Sequence, residues 1–324
     1  MERIQVRIIV ALLAVLGVFS LSACAKSPTF YAPYTSSDTA DLDANVNKVA
    51  TLEAYSNDIV VLLDNSSYPV ENVSASQALA FKLSNKEVVL CKNGYEEFQP
   101  GNITKLFASY YVLMTQDIYQ YVTVGSDIYN IDSSLFAVHF TKNDCLRFKD
   151  LIYGAVLYGA NDVIIPMADN TSGSLNSFAG DVTSYVTNMG AENTTLLNCY
   201  GTASAGMKTT IYDVYMILRD VLINDDILKL LESKSYSCEY TNNSNPASVK
   251  WYNALPYFTG ELETKSGLVV LGGMCENASL EPTQMLVLAQ DETGETYAVF
   301  VTGCASFSDC KASVEEILYQ IANL

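Results

Sequence analysis

Three short polar segments hold the side chains best able to do chemistry. Behind Pro100-Gly101, Asn102 and Lys105 stand three residues apart, a spacing that sets them on one face of a beginning helix. Asn161-Asp162 follow Gly159, and Lys265-Ser266-Gly267 form the third segment. A buried or paired lysine can help deprotonate a neighbouring hydroxyl, and an exposed one can hold a carboxylate. Asparagine offers less, because its amide nitrogen lone pair is delocalised into the carbonyl and cannot attack. Taken singly, each segment is a routine loop, turn or helix start.

His139 is the only histidine in 324 residues. A Ser-His-Asp triad would have to use it, and a metal site built on several imidazoles is excluded. It sits in the apolar run Leu135-Phe-Ala-Val-His-Phe140 and reads as an ordinary packed side chain. The residues call for neither a metal nor a cofactor. A net charge of −18 with no offsetting Lys/Arg cluster repels phosphates, so nucleic acid is excluded as a partner.

At the N-terminus, Arg3 and Arg7 precede an apolar run from Ile8 to Leu21, short for a membrane span and laid out as a secretory signal. It ends in Leu21-Ser22-Ala23-Cys24, which resembles the bacterial lipobox. That resemblance implies cleavage after residue 23 and lipid on Cys24. Multiple acyl chains, at about 0.8 kcal/mol per buried methylene, hold a protein at a membrane face. The expected location is therefore extracytoplasmic, anchored to a bacterial cell envelope. Seven further cysteines remain, with no C-x-x-C pair; they are buried small residues or undetermined bridges, Cys304 and Cys310 being closest in sequence.

The elements that must position the polar segments follow from periodicity. Residues 25–38, rich in Ser, Thr, Pro and Tyr, read as a tether. Leu42, Val46, Val49 and Leu52 share one helix face within 41–55. A hairpin of strands 77–83 and 87–91 is expected around Ser84-Asn85-Lys86. A buried helix is expected over 102–114, with Asn102 as its N-cap. Further helices are predicted at 148–157, 177–189, 210–231 and 312–322, and strands at 260–271, 284–290 and 296–302.

In order and with their flanks, the three polar segments resemble those of the penicillin-binding D-alanyl-D-alanine carboxypeptidases. Gln99-Pro-Gly-Asn-Ile-Thr-Lys105 looks like the family's P-A-S-x-T-K segment, with Asn102 where the serine nucleophile belongs. Leu151-Ile-Tyr-Gly-Ala-Val-Leu-Tyr-Gly-Ala-Asn-Asp162 looks like its S-x-N segment, with Gly159 in place of the loop serine and Asn161 kept. Lys265-Ser266-Gly267 looks like its K-T/S-G strand edge. Asn198-Cys-Tyr-Gly201 and Thr210-Ile-Tyr-Asp213 resemble two further family turns.

The resemblance implies an α/β (α+β) fold of the β-lactamase/transpeptidase type, an antiparallel sheet flanked by helices plus a helical lobe. Residues 1–23 would be the signal, 24–71 the lipidated cysteine, tether and first helix, and 72–324 the carboxypeptidase-like domain. It also implies a cleft where Lys105, Asn161 and Lys265 hold a carboxylate, with Lys265, Ser266 and Gly267 as the substrate-binding edge. With Asn102 and Gly159 at two catalytic positions, no acyl transfer is expected, and the domain reads as a peptidoglycan stem-peptide-binding or scaffold module. An active serine-type carboxypeptidase is the competing reading; a cleft without function, on a fold that serves protein partners, is the third.

Overall fold

The computed structural model describes residues 70–264, 266–276 and 283–324. The signal segment, Cys24, the tether, the helix expected over 41–55 and Lys265 lie outside the described residues. The elements run β1 (Gln77–Lys82), β2 (Val88–Lys92), α1 (Ile103–Thr115), β3 (Tyr121–Thr123), β4 (Cys145–Arg147), α2 (Phe148–Val156), α3 (Ile164–Thr171) and α4 (Leu175–Asn188). They continue with α5 (Ile211–Val221), α6 (Asp225–Glu232), β5 (Ser235–Asn242), β6 (Asn245–Tyr252), α7 (Pro256–Thr259), β7 (Val269–Cys275), β8 (Met285–Gln290), β9 (Thr296–Thr302) and α8 (Phe307–Ile321).

Five strands form an antiparallel sheet in the order β2-β1-β9-β8-β7, and β3-β4-β5-β6 form a smaller one. Strand side chains alternate between faces, and here both faces are apolar. Leu79, Phe81, Leu286, Leu288, Ala298 and Phe300 face the helical lobe, whereas Ala78, Ala80, Val287, Ala289, Val299 and Val301 face α8. The register aligns them, with Leu79 opposite Phe300 and Leu286 opposite the same residue. Two hydrophobic cores result, one on each side of the sheet. The lobe's core encloses α1, whose residues Ile103 to Tyr110 are all buried. The described cysteines carry free thiols; Cys304 and Cys310 both lie in the α8-side core.

The expected hairpin, α1 and the two C-terminal strands appear at their predicted places. Two expectations needed correction. The single helix over 210–231 is two, because Asn224 caps a new helix by accepting from the amides of Asp226 and Ile227. The strand predicted over 260–271 begins only at Val269 and runs on to Cys275; this shift changes which residues reach the site.

Candidate functional site

Helix α1 is driven into the middle of the protein by its apolar face, and its N-terminal end opens onto a cleft of about 430 Å³. Phe98, Gln99, Gly101 and Asn102 line it from the approach to α1. Gln77, Thr302 and Gly303 line it from β1 and β9, and Glu276, Thr283 and Gln284 from the end of β7 and the start of β8. Gly201 and Ala203 close the remaining wall. A side chain at Gly201 would put its Cβ 2.8 Å from the Gly101 carbonyl oxygen and 3.0 Å from the Asn102 Cα. The absence of one lets the Asn198–Gly201 turn press against the start of α1.

Asn102 does not cap α1 as expected. It already has helical angles, φ −64° and ψ −23°, and its side chain makes no cap bond. Gln284 does the work from the sheet: its Oε1 accepts from the Ile103 amide at 2.7 Å, and its Nε2 donates to Pro100 O at 2.9 Å and Thr302 Oγ1 at 3.0 Å. The Thr104 amide bonds Gly101 O and the Lys105 amide bonds Asn102 O. Asn102 lines the cleft at 3% exposure, and its Oδ1 has no hydrogen-bond partner.

Lys105 lies one turn further along, 2% exposed, with its ammonium on the Gly159 carbonyl oxygen at 2.6 Å. Burial lowers its pKa to about 8 against the opposing pull of Glu276 and Asp162. Burial likewise pushes the Glu276 carboxyl up, only partly offset by Lys105. The first two polar segments thus do meet, Lys105 with the loop at Gly159. Asn161 Nδ2 donates to Phe136 O at 3.0 Å. Asp162 accepts from the amides of Val138, His139 and Phe140 at 2.9, 2.7 and 3.2 Å. His139 is an exposed loop residue at φ +69°, not a packed one.

The third segment is described only in part, since Lys265 lies outside the described residues. Ser266 and Gly267 precede β7, and neither is among the described residues lining the cleft. Antiparallel pairing sets Cys275 opposite Met285, so the part of β7 that arrives beside Gln284 and Asn102 is its C-terminal end. That end delivers Glu276. Nothing local in the sequence marks Glu276 or Gln284, since both reach α1 from strands far along the chain.

The two hydroxyls of α1 nearest position 102 are sealed off from the cleft. Thr104 is fully buried and its Oγ1 donates to Gly101 O at 2.9 Å. Ser109 is buried beneath the helix, without a partner for its Oγ.

A sequence model of the family described as D-alanyl-D-alanine carboxypeptidase matches residues 64–270, ending just before Glu276. Among curated relatives, D-alanyl-D-alanine carboxypeptidase DacC of Escherichia coli K12 is 29% identical over 163 residues, 48% of this chain and 40% of that protein. DacA of the same organism is 25% identical over 199 residues, 57% of this chain and 49% of that protein. The chain spans about half the length of the curated relatives it matches. Of solved structures, the Streptomyces K15 DD-transpeptidase superposes with a TM-score of 0.68 at 18% identity, over 77% of this chain and 98% of that one. Penicillin binding protein 5 of Haemophilus influenzae gives 0.64 at 17% identity, over 76% and 70%. These structures share the fold: antiparallel sheets flanked by helices, in the transpeptidase arrangement.

Proposed function

The chain belongs to the D-alanyl-D-alanine carboxypeptidase family, and on that premise we propose that it keeps the scaffold of such an enzyme without its acyl-transfer chemistry. In this reading it is an envelope lipoprotein, tethered through Cys24, whose cleft serves as a binding or scaffold module for peptidoglycan stem peptides.

One observation carries the reading. At the mouth of α1, one turn before a buried lysine, stands an amide side chain and no hydroxyl. Lys105 is held as a general base would be, desolvated and with its pKa lowered to about 8, yet the group it should deprotonate is absent. Gly159 withholds the second hydroxyl, and Thr104 and Ser109 are shut away from the cleft. Loss of the nucleophile in serine hydrolases lowers turnover by about six decades, leaving only what binding and oxyanion stabilisation provide.

The test is penicillin labelling. The full chain is incubated with a fluorescent β-lactam and its intact mass measured, alongside Asn102→Ser and the double variant Asn102→Ser/Gly159→Ser. The unmodified protein is expected to show no adduct. A stable adduct on it would overturn the reading and identify an active serine-type carboxypeptidase with its nucleophile elsewhere.

A further inference from the structure

Two thiols stand where β9 turns into α8, beside the cleft wall. The seven cysteines that follow Cys24 all lie among the described residues, and the large sheet sorts them. Cys91, Cys199 and Cys238 are in the lobe's core, Cys145 is in β4, and Cys275, Cys304 and Cys310 are in the α8-side core. Bonds between the two cores would have to cross the sheet, which leaves the last three to be paired among themselves.

The cap of α8 selects the pair. Ser306 is that cap, its hydroxyl accepting from the Asp309 amide, and in a capped helix a residue before the cap folds inward onto the fourth helical residue. That fourth residue is Cys310. Ala305, directly before the cap, is exposed, and the inward place is taken by Cys304 one residue earlier, 5% exposed against 0% for Cys310. Both backbones are pinned, the Cys304 amide donating to Thr283 O at 3.2 Å and the Cys310 amide to Ser306 O at 3.0 Å. The thiols also act on one another: Cys310 holds Cys304 below the usual thiol range, and Cys304 pushes Cys310 up. Cys275 is placed differently, fixed within β7 opposite Met285, its Sγ donating to Gln284 O at 3.9 Å.

We propose that Cys304 and Cys310 form a disulfide that staples the end of β9 to the start of α8 and steadies the adjoining wall of the cleft. The chemistry is thiol–disulfide exchange with a small-molecule disulfide or a protein of the dithiol–disulfide class as oxidant. The Cys304 thiolate attacks one sulfur of that disulfide and expels the other as a thiolate. Cys310 then attacks Cys304 Sγ and expels the second. One S–S bond forms here and one breaks in the oxidant; the two protons lost by the cysteines pass to the two thiolates released. Cys304 makes the first attack because it is the more exposed and the more acidic of the pair.

The bridge bears on the cleft through short links. Thr302 and Gly303, just before Cys304, line it, as does Thr283, whose carbonyl holds the Cys304 amide. Thr302 Oγ1 accepts from Gln284, and Gln284 holds the Ile103 amide of α1. None of this depends on what the cleft binds.

The experiment is disulfide mapping on the unmodified full chain, so that no variant has to fold. One sample is equilibrated with oxidised glutathione and one with dithiothreitol; both are quenched in acid, unfolded, and their free thiols blocked with N-ethylmaleimide. Trypsin and an aspartate-specific protease then cut after Lys265 and Lys311 and before Asp291 and Asp309, which puts Cys275, Cys304 and Cys310 on separate fragments. Fragments 291–308 and 309–311 are expected joined in the oxidised sample, and apart and alkylated in the reduced one. Amide exchange at Ile103 should slow by roughly threefold on oxidation, and Cys304→Ala should remove that difference. Cys304 recovered alkylated from the oxidised sample, or joined to the fragment holding Cys275, would overturn the pairing. Exchange at Ile103 that is the same in both samples would overturn the link to the cleft.

Discussion

The Lys105 ammonium donates a 2.6 Å hydrogen bond to the Gly159 carbonyl oxygen, tying the first turn of α1 to the loop after α2. Two positions 54 residues apart are thereby fixed to one another through a charge-assisted bond in a site with little water. Glu276 and Asp162 supply the nearest negative charge. This arrangement decides how the protein responds to pH and to substitution in the loop.

The pH response follows from Lys105. Its pKa falls from 10.5 in the unfolded chain to about 8 when folded, so within that window the unfolded state holds more protons and stability rises with pH. At about 1.36 kcal/mol per pH unit, the full gain is on the order of 3 kcal/mol. Below pH 8 both states are protonated and the burial cost of the charge stands in full. Burial raises the pKa of Cys199, Cys238, Cys275 and several tyrosines, and these groups lose stability as pH rises over the same range. The Lys105 contribution is therefore read by difference: between pH 7.5 and 10.5 the urea midpoint of the unmodified protein should gain on that of Lys105→Met. A constant gap between the two profiles would mean that Lys105 is not buried as a charge.

Gly159 sits at φ +80°, and a Cβ built on it meets nothing within 4 Å. Serine there is resisted by the backbone alone, which disfavours a left-handed L-residue by about 1–2 kcal/mol. Gly159→Ser should therefore lower the melting temperature by roughly 3–6 °C and leave the circular dichroism of the folded state unchanged. A loss well beyond that range would show that the loop has less room than its geometry indicates.

Much of the fold is legible in the sequence, because hydrophobic periodicity is local. Short apolar runs bounded by turn residues mark β1, β8 and β9, and the apolar run after Pro100 marks α1. The break between α5 and α6 depends on a single side chain, Asn224, whose capping bonds outweigh an apolar pattern that continues across it. The site is legible by halves. Lys105 and Gly159 are readable because each lies in a recognisable segment. Glu276 and Gln284 are not, since β7 starts later than its residues suggest and only sheet register brings its far end to α1. Asn102 has the residue type of a cap, yet Gln284 takes the bond, a substitution that becomes visible only when the strands are in place.

Gln284 is accordingly a structural keystone with a measurable cost. Gln284→Leu leaves the Ile103 amide and the Pro100 carbonyl without their partners in a buried setting, together with the bond to Thr302. At roughly 1–3 kcal/mol per unsatisfied buried group, a loss of about 2–4 kcal/mol is expected in urea unfolding. Hydrogen exchange at Ile103 should quicken in the same variant. Unchanged exchange there would mean that water replaces the glutamine without penalty.

Asp162 makes the sharpest case that a family motif can be kept for its architecture. Its carboxylate gathers the amides of Val138, His139 and Phe140, holding His139 at φ +69°, while Asn161 beside it bonds Phe136. The pair thus anchors residues 136–140 at the edge of the helical lobe, and its side-chain bonds there point away from cleft chemistry. Asp162→Ala strips three amides of their acceptor and should cost about 3 kcal/mol, allowing for Val138 and His139 reaching some solvent. Asp162→Asn keeps one acceptor oxygen but sets an NH₂ group against an amide donor, so it should recover only part of that loss. Amide exchange at 138–140 is the measurement that decides: in Asp162→Ala protection should vanish at these three positions and persist in α1. Protection retained at 138–140 would show that the loop is held by its packing and that the carboxylate is dispensable to it.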